Sequence, residues 1–406
     1  MRFHVIMQSA VVRELQRVQS SLPRVQFILP PVQFSDLYEV SWTNWGLLPS
    51  LRHMRLDGVR LPTYTMRLPK TLYSLELSLI EPSQRKIQGR KDDHRLSALE
   101  LLNLVGDIGS IIDLQRLAID FSDAFHFTFY RPEIDPSRTT ILPHLREITL
   151  TTQSENLLNA ISCAISLPAL RRCVLSLHYN SGLVYRGFRG HSIKGSLQSA
   201  FRNFIAQLSS SGVHLHTLCL AHRRSASGTT TTSIIACADP IDWTDTYVAR
   251  HTLSQNANLQ MTLTCDIESP ATSRERINVV EAFLGAFLSC PAPDSISDAL
   301  PITSLALSIN DDTLSKLICE KVFLGCLPHV DTIACYDGHE EVLVELHARS
   351  SSFPDLQMLI TPEIGANQEA RAALDAILEA RENMSHLQVD EAAACILRNV
   401  VMRAAN

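Results

Sequence analysis

The chain is 406 residues long, 45% hydrophobic and 19% charged, ordinary for a folded protein and too apolar for a disordered one. Its 36 basic and 42 acidic residues leave a net charge of −6, which gives no bulk attraction to a phosphate backbone or an anionic membrane. The apolar piece Phe3 to Met7 is too short for a signal-peptide core, and the most apolar window, Ile277 to Cys290, carries Glu281 and is shorter than a membrane span. A cytoplasmic or nuclear protein without a membrane partner is expected.

Taken in chain order, one phrase keeps returning. It is faint at Leu22-Pro23-Arg24-Val25 with Ile28, and clear at Leu48-Pro49-Ser50-Leu51 with Met54 and Leu56. Leu68-Pro69 leads to Leu72, Leu75 and Leu77. A charged stretch over 81–95 reads as a solvated insertion, and Leu96 to Ile112 has helical periodicity. Leu114, Leu117 and Ile119 follow, then Leu142-Pro143-His144-Leu145 with Ile148 and Leu150, then a helix over Glu155 to Ile165. Leu167-Pro168-Ala169-Leu170 leads to Cys173 and Leu175, and Ser192 to Leu208 reads as a helix.

Leu215, Leu218 and Leu220 give a further copy. The threonine-rich stretch inside 221–234 reads as a surface loop. Helices are expected over Ser273 to Ser289, Asp311 to Leu324 and Ala366 to Asn383, with Ser273, Asp311 and Asn367 as caps. Between them stand Ile302, Leu305 and Leu307, then Leu327-Pro328-His329-Val330 with Ile333 and Cys335, then Phe353-Pro354-Asp355-Leu356 with Leu359. A C-terminal capping helix is expected over 390–404. The copies are irregular, and diverged repeats or long inserts are expected around 178–212 and 221–300.

Apolar, two residues, apolar, one residue, apolar is the core of a leucine-rich repeat. Short strands alternating with helices of three to four turns give an α/β fold. A single irregular solenoid over 1–406 is expected, its curved parallel sheet inside and its helices outside. Proline before the strand ends the preceding helix and gives up no ladder hydrogen bond there. A doubly wound α/β domain also alternates strand and helix, but it would show longer apolar strands and usually a glycine-rich phosphate loop.

The ten cysteines form no Cys-x-x-Cys, and several occupy positions where a repeat needs a small hydrophobe, as Cys173 and Cys335 do. They are read as buried reduced thiols, with no metal and no cofactor. His214, His216 and His222 lie close in sequence, but no carboxylate or cysteine nearby completes a ligand set. Arg85 to Arg95 has acidic neighbours, and the arginine–aromatic run Tyr185 to Gly190 occurs once, so nucleic acid is not the expected partner. No Gly-x-Ser-x-Gly, His-Glu-x-x-His or Walker loop occurs. No enzymatic activity is expected.

Neighbours in a strand point to opposite faces, so the positions between the buried leucines form an outward row. The residues on it with the best prospects for binding another protein are His53, Arg55, Asp57, Glu76, Arg116, Asp120, Glu147, Thr149, Arg172, Tyr336, Met358 and Ile360. Tyr336, Met358 and Ile360 would be the apolar anchors and the charged residues would set orientation. The competing expectation is that the C-terminal helix over 390–404 buries that end.

The Leu-Pro-x-Leu openings and irregular helical spacers resemble the repeat regions of fungal F-box-like proteins. That resemblance implies a region that holds a substrate for a cullin-type ubiquitin ligase, with the ligase adaptor bound by an F-box. Here Leu22-Pro23 is followed by Arg24 and an apolar run ending at Pro30-Pro31, which suits a strand and not the helices of an F-box. The chain is therefore expected to begin inside a repeat, truncated at its N-terminus, with an adaptor as partner only if an F-box precedes it. A free-standing scaffold is the alternative.

Overall fold

A computed structural model of the chain describes residues 24–28, 51–59, 68–80, 98–123, 139–180, 190–225, 228–241, 243, 256–266, 273–288, 301–310, 327, 329–337, 339–365, 367–381 and 384–389. It is a mixed α/β protein whose strands are almost all parallel. Internal contacts divide it into two units, Met1–Arg171 and Arg172–Asn406. The expected helix over Asp311 to Leu324, the insertion over 81–95 and the capping helix over 390–404 lie outside the described residues.

The first unit holds β1 (Arg24–Ile28), β2 (His53–Val59), β3 (Ser74–Ile80), β4 (Arg116–Asp123) and β6 (Glu147–Thr152), which pair in that order, all parallel. Helices α1 (Ala98–Gly109) and α2 (Glu155–Ala164) complete it, with the two-residue strands β5 (Thr140–Ile141) and β7 (Ile165–Ser166) pairing beside them. Ser154 caps α2, its hydroxyl accepting from the Leu157 amide. Each inward residue of one strand lies opposite its counterpart on the next: Met54, Leu75, Leu117 and Ile148 form one column. All four are under 5% exposed. Ile119 and Leu150 continue the same face, where Val105, Ile108 and Ile161 of the helices meet them around a small apolar gap. One face of this sheet is therefore core. Burial is not described for Leu56.

The recurrent phrase is a turn. Leu145 donates its amide to the Leu142 carbonyl at 3.3 Å, and the same bond joins Leu114 to Ile111, Leu170 to Leu167, Val330 to Leu327 and Leu356 to Phe353. At Leu142, Leu167, Leu327 and Phe353 the next residue is proline, which is pre-set for the second position of such a turn. The proline thus bends the chain into the strand rather than merely ending a helix. Immediately after the turn, two successive amides converge on one carbonyl that stands just before the neighbouring strand. Gln115 and Arg116 donate to Tyr73, and Arg146 and Glu147 donate to Gln115. In the second unit Thr303 and Ser304 donate to His216, and Asp331 and Thr332 to Thr303.

The second unit contains β8 (Arg172–Asn180), α3 (Gly190–Ser210), β9 (Thr217–Arg224), β10 (Thr230–Cys237), β11 (Ala257–Asp266), α4 (Ser273–Leu288), β12 (Ser304–Asn310) and β13 (Thr332–Asp337). It continues with α5 (His339–Ala348), β14 (Met358–Pro362), α6 (Gln368–Glu379) and β15 (Ser385–Val389). Its strand order is β8-β11-β10-β9-β12-β13-β14-β15. Among the described strands only β10 runs antiparallel to its neighbours.

Two expectations are corrected here. The stretch 221–234 is not a loop: β9 and β10 form a hairpin that pairs Thr232 with His222, and Thr230, Thr232 and Ser233 are buried. Threonine is β-branched and suits a strand better than a solvated loop. The repeat order is also interrupted, because β11 is inserted between β8 and β10.

The helices start and stop close to expectation, and α5 is an addition. Asn367 caps α6, accepting from the Glu369 and Ala370 amides at 3.1 Å. Ser273 lies inside α4 rather than capping it. Just past the end of α3 stands Gly212, whose φ of 80° favours glycine, with the Val213 amide returning to Leu208. Phe201 of α3 meets Phe283 of α4 edge to face at 5.6 Å.

Candidate protein-interaction face

In the first unit the core leucines face α1 and α2, so the alternate positions of the same strands face away from the helices. The pairing places His53, Ser74, Arg116 and Glu147 in one row and Arg55, Glu76, Ala118 and Thr149 in another. Arg55, Glu76 and Arg116 are exposed; His53, Ala118, Asp120, Glu147, Thr149 and Thr151 are half-buried. Asp57 lies in β2, but its side chain is not among those described.

Charges on this face alternate across the strands. Arg55 meets Glu76 at 3.5 Å and Arg116 meets Glu147 at 3.2 Å, each pair spanning adjacent strands and open to solvent. Such pairs add little stability, because water screens them and ordering both side chains costs entropy. What they do is fix a pattern. A basic column edge and an acidic one lie a strand apart, about 5 Å, and a partner must match both signs. Tyr73 rests beside His53 with ring centroids 5.7 Å apart.

The second unit differs, and the expected apolar anchors are corrected there. Tyr336 is 1% exposed and Ile360 is fully buried. They belong to a cluster with Cys219, Ala221, Ile235, Cys237, Ile241, Trp243, Ala257, Ala306 and Ala334, and Met358 is half-buried against its rim. The cover comes from the segment after β10. Trp243 lies 6.2 Å from the Tyr336 ring and donates its indole N–H to the Ser304 hydroxyl at 2.6 Å. Small residues at Cys219, Ala306 and Ala334 occupy equivalent positions on β9, β12 and β13, and their size leaves room for the indole. Thr217, Cys219, Ser304 and Ser308, which alternate with the leucines of their strands, are buried as well. Both faces are core along β9, β10, β12, β13 and β14, which is why these strands carry so many small and apolar residues.

Arg172 belongs to the second unit, half-buried at the start of β8. The remaining candidates separate. His214 is exposed, His216 half-buried, and His222 buried with its Nδ1 2.8 Å from the Thr232 hydroxyl. Cys173, Cys219, Cys237, Cys265 and Cys335 are buried free thiols and Cys163 is exposed. Burial pushes the Cys173 thiol well up, and burial with the nearby Asp239 charge pushes Cys237 up to about 12. Both stay protonated and poorly nucleophilic. Among the described residues no helix is long and apolar enough to cross a membrane.

No protein-family model matches the chain, and no curated protein matches it either.

Proposed function

We propose that the chain is a non-catalytic protein-interaction module of the leucine-rich-repeat type, whose repeated coils stack into a solenoid. On this reading another protein is held on the sheet face of the first unit that lies away from α1 and α2. The observation that carries it is the contrast between the strand faces within each of the two units. The same alternate strand positions are sealed by Trp243 and Ile241 in one unit and left as an ordered polar row in the other. A rigid strand row bearing Arg55, Glu76, Arg116 and Glu147 presents fixed side chains at fixed spacing, which is how repeat solenoids recognise partners.

The test is site-specific crosslinking from position 76 or 149, followed by binding measurements with the partner so identified. A Glu76→Arg, Arg116→Glu variant should fold normally and lose that partner. Undiminished binding would refute the face. The resemblance to F-box-like proteins supports a ubiquitin-ligase context, in which the module would be the part that holds the substrate. Co-purification of a ligase adaptor with the full-length protein supports that context; a partner complex free of adaptor favours the free-standing scaffold.

A further inference from the structure

The carbonyl ladder of the first unit strings five residues along the leading edge of its sheet: Arg52, Tyr73, Gln115, Arg146 and Arg171. Each is joined to the next by a backbone hydrogen bond of 2.7–2.9 Å. The ladder bonds are made by the backbone alone, so they do not dictate which side chain stands at each position. In the second unit the same position holds His216, Thr303, Asp331 and Gln357, a set with no arginine. In the first, three of the five are arginine, and all three are exposed. For a chain of net charge −6, such a local concentration of positive charge is not what composition alone would give.

The arginines are placed to reach outward. Arg52 donates one guanidinium hydrogen bond to the Thr71 carbonyl at 2.9 Å, which anchors it and leaves other N–H donors to spare. Lys70 and His144, on the turns just ahead of the ladder, are exposed too; Asp113 is the exposed acid among these turns. Five coils at about 4.8 Å put Arg52 and Arg171 roughly 20 Å apart, the reach of about six extended residues. Further along the strands lie the carboxylates of Glu76 and Glu147. The basic strip is therefore narrow.

We propose that this edge binds an Asp- or Glu-rich segment of a partner protein, laid across the coils from Arg52 to Arg171. The inference rests on the interaction-face reading and names the chemistry of what is held there. A thin acidic strand meets the arginines and stays clear of the carboxylates, whereas a nucleic acid would bring phosphates up against Glu147. Nucleic acid would also want stacking platforms, and along this ladder the aromatic is Tyr73 alone, half-buried.

The test uses the full chain and a fluorescein-labelled peptide of about eight residues, mostly glutamate, long enough to cover the strip. Fluorescence anisotropy should show saturable binding that weakens as salt is raised. An Arg52→Glu, Arg146→Glu variant should bind at least about tenfold more weakly, while Arg223→Glu, on β9, should bind as wild type. Circular dichroism melting checks the fold, and Arg52→Gln, Arg146→Gln replaces the double reversal if that variant unfolds. The proposal is overturned by salt-insensitive binding or none, by equal loss in the Arg223 control, or by tighter binding of a single-stranded oligonucleotide of equal charge. If it fails while Glu76→Arg, Arg116→Glu still loses its crosslinked partner, the face stands and only the acidic ligand is wrong.

Discussion

The Trp243 indole N–H reaches the Ser304 hydroxyl at 2.6 Å across 61 positions of sequence, tying the segment after β10 to the start of β12. The bond is buried at both ends, and the indole fills the trough left by Cys219, Ala306 and Ala334. Trp243→Ala should cost about 3–5 kcal/mol, the usual range for truncating a buried aromatic. Ser304→Ala leaves the indole donor unpaired and should cost about 1–3 kcal/mol. Urea unfolding of the two variants checks both values, and similar midpoints would mean the indole contributes little by packing.

The register of β6 gives a sharper contrast. Ile148 is fully buried against the helices, while its neighbour Thr149 is half-buried on the other face. Ile148→Ala should cost about 2–5 kcal/mol and Thr149→Ala within about 0.5 kcal/mol. A one-residue slip in register would reverse the order of the two melting temperatures.

Two glycines of α1 should behave oppositely. A Cβ at Gly106 meets nothing nearby, so Gly106→Ala should stabilise by about 0.5–1 kcal/mol through helix propensity. A Cβ at Gly109 would run into the Thr140 methyl, so Gly109→Ala should destabilise by about 1–3 kcal/mol. Thermal melts of the pair separate the two effects.

Thiol chemistry reads out burial. Cys163 should react with a disulfide reagent at neutral pH in the native protein, and Cys173, Cys219, Cys237 and Cys335 only after denaturation. Cys237 is raised from 9.0 to about 12 in the folded state. A group raised on folding supports the fold below its unfolded value and loses that support as pH climbs through the folded one. Stability should therefore hold up to about pH 9 and decline above it, and Cys237→Ala should flatten that decline. Rapid labelling of all cysteines in the native state would contradict the cluster.

Apolar spacing made the strands visible: Leu51, Leu145, Ile148, Leu305 and Leu307 are all buried as the pattern requires. The turn was visible as Leu-Pro, though its role in bending the chain needed the hydrogen bonds. Strand β11 was missed although Leu259, Met261, Leu263 and Cys265 alternate along it, because no Leu-Pro turn introduces it. The hairpin was missed because a threonine run looks like a loop by composition. The face in the second unit was misjudged for a physical reason. An outward row of Cys219, Ala306, Ala334 and Ile360 looks like an exposed apolar site unless one asks what covers it, and the cover is supplied by a segment with no repeat signature. The charged row of the first unit, by contrast, followed from alternation alone.

In the first unit β2, β3 and β4 are each laid down beside the strand synthesised before them and β6 returns to β4, so each finds its template already waiting. The second unit departs from that order twice: β12 returns to β9, and β8 must wait for a partner made later. Strand β8 pairs with β11, Cys173 with Leu259 and Leu175 with Met261, so β8 waits while α3, β9 and β10 are made. Pairings between distant segments carry the larger loop-closure cost and set the pace of folding. The slow step of this chain is expected where β11 slides between β8 and β10, and until then both edges of that gap are open to a wrong strand. Misfolding, when it occurs, should begin there.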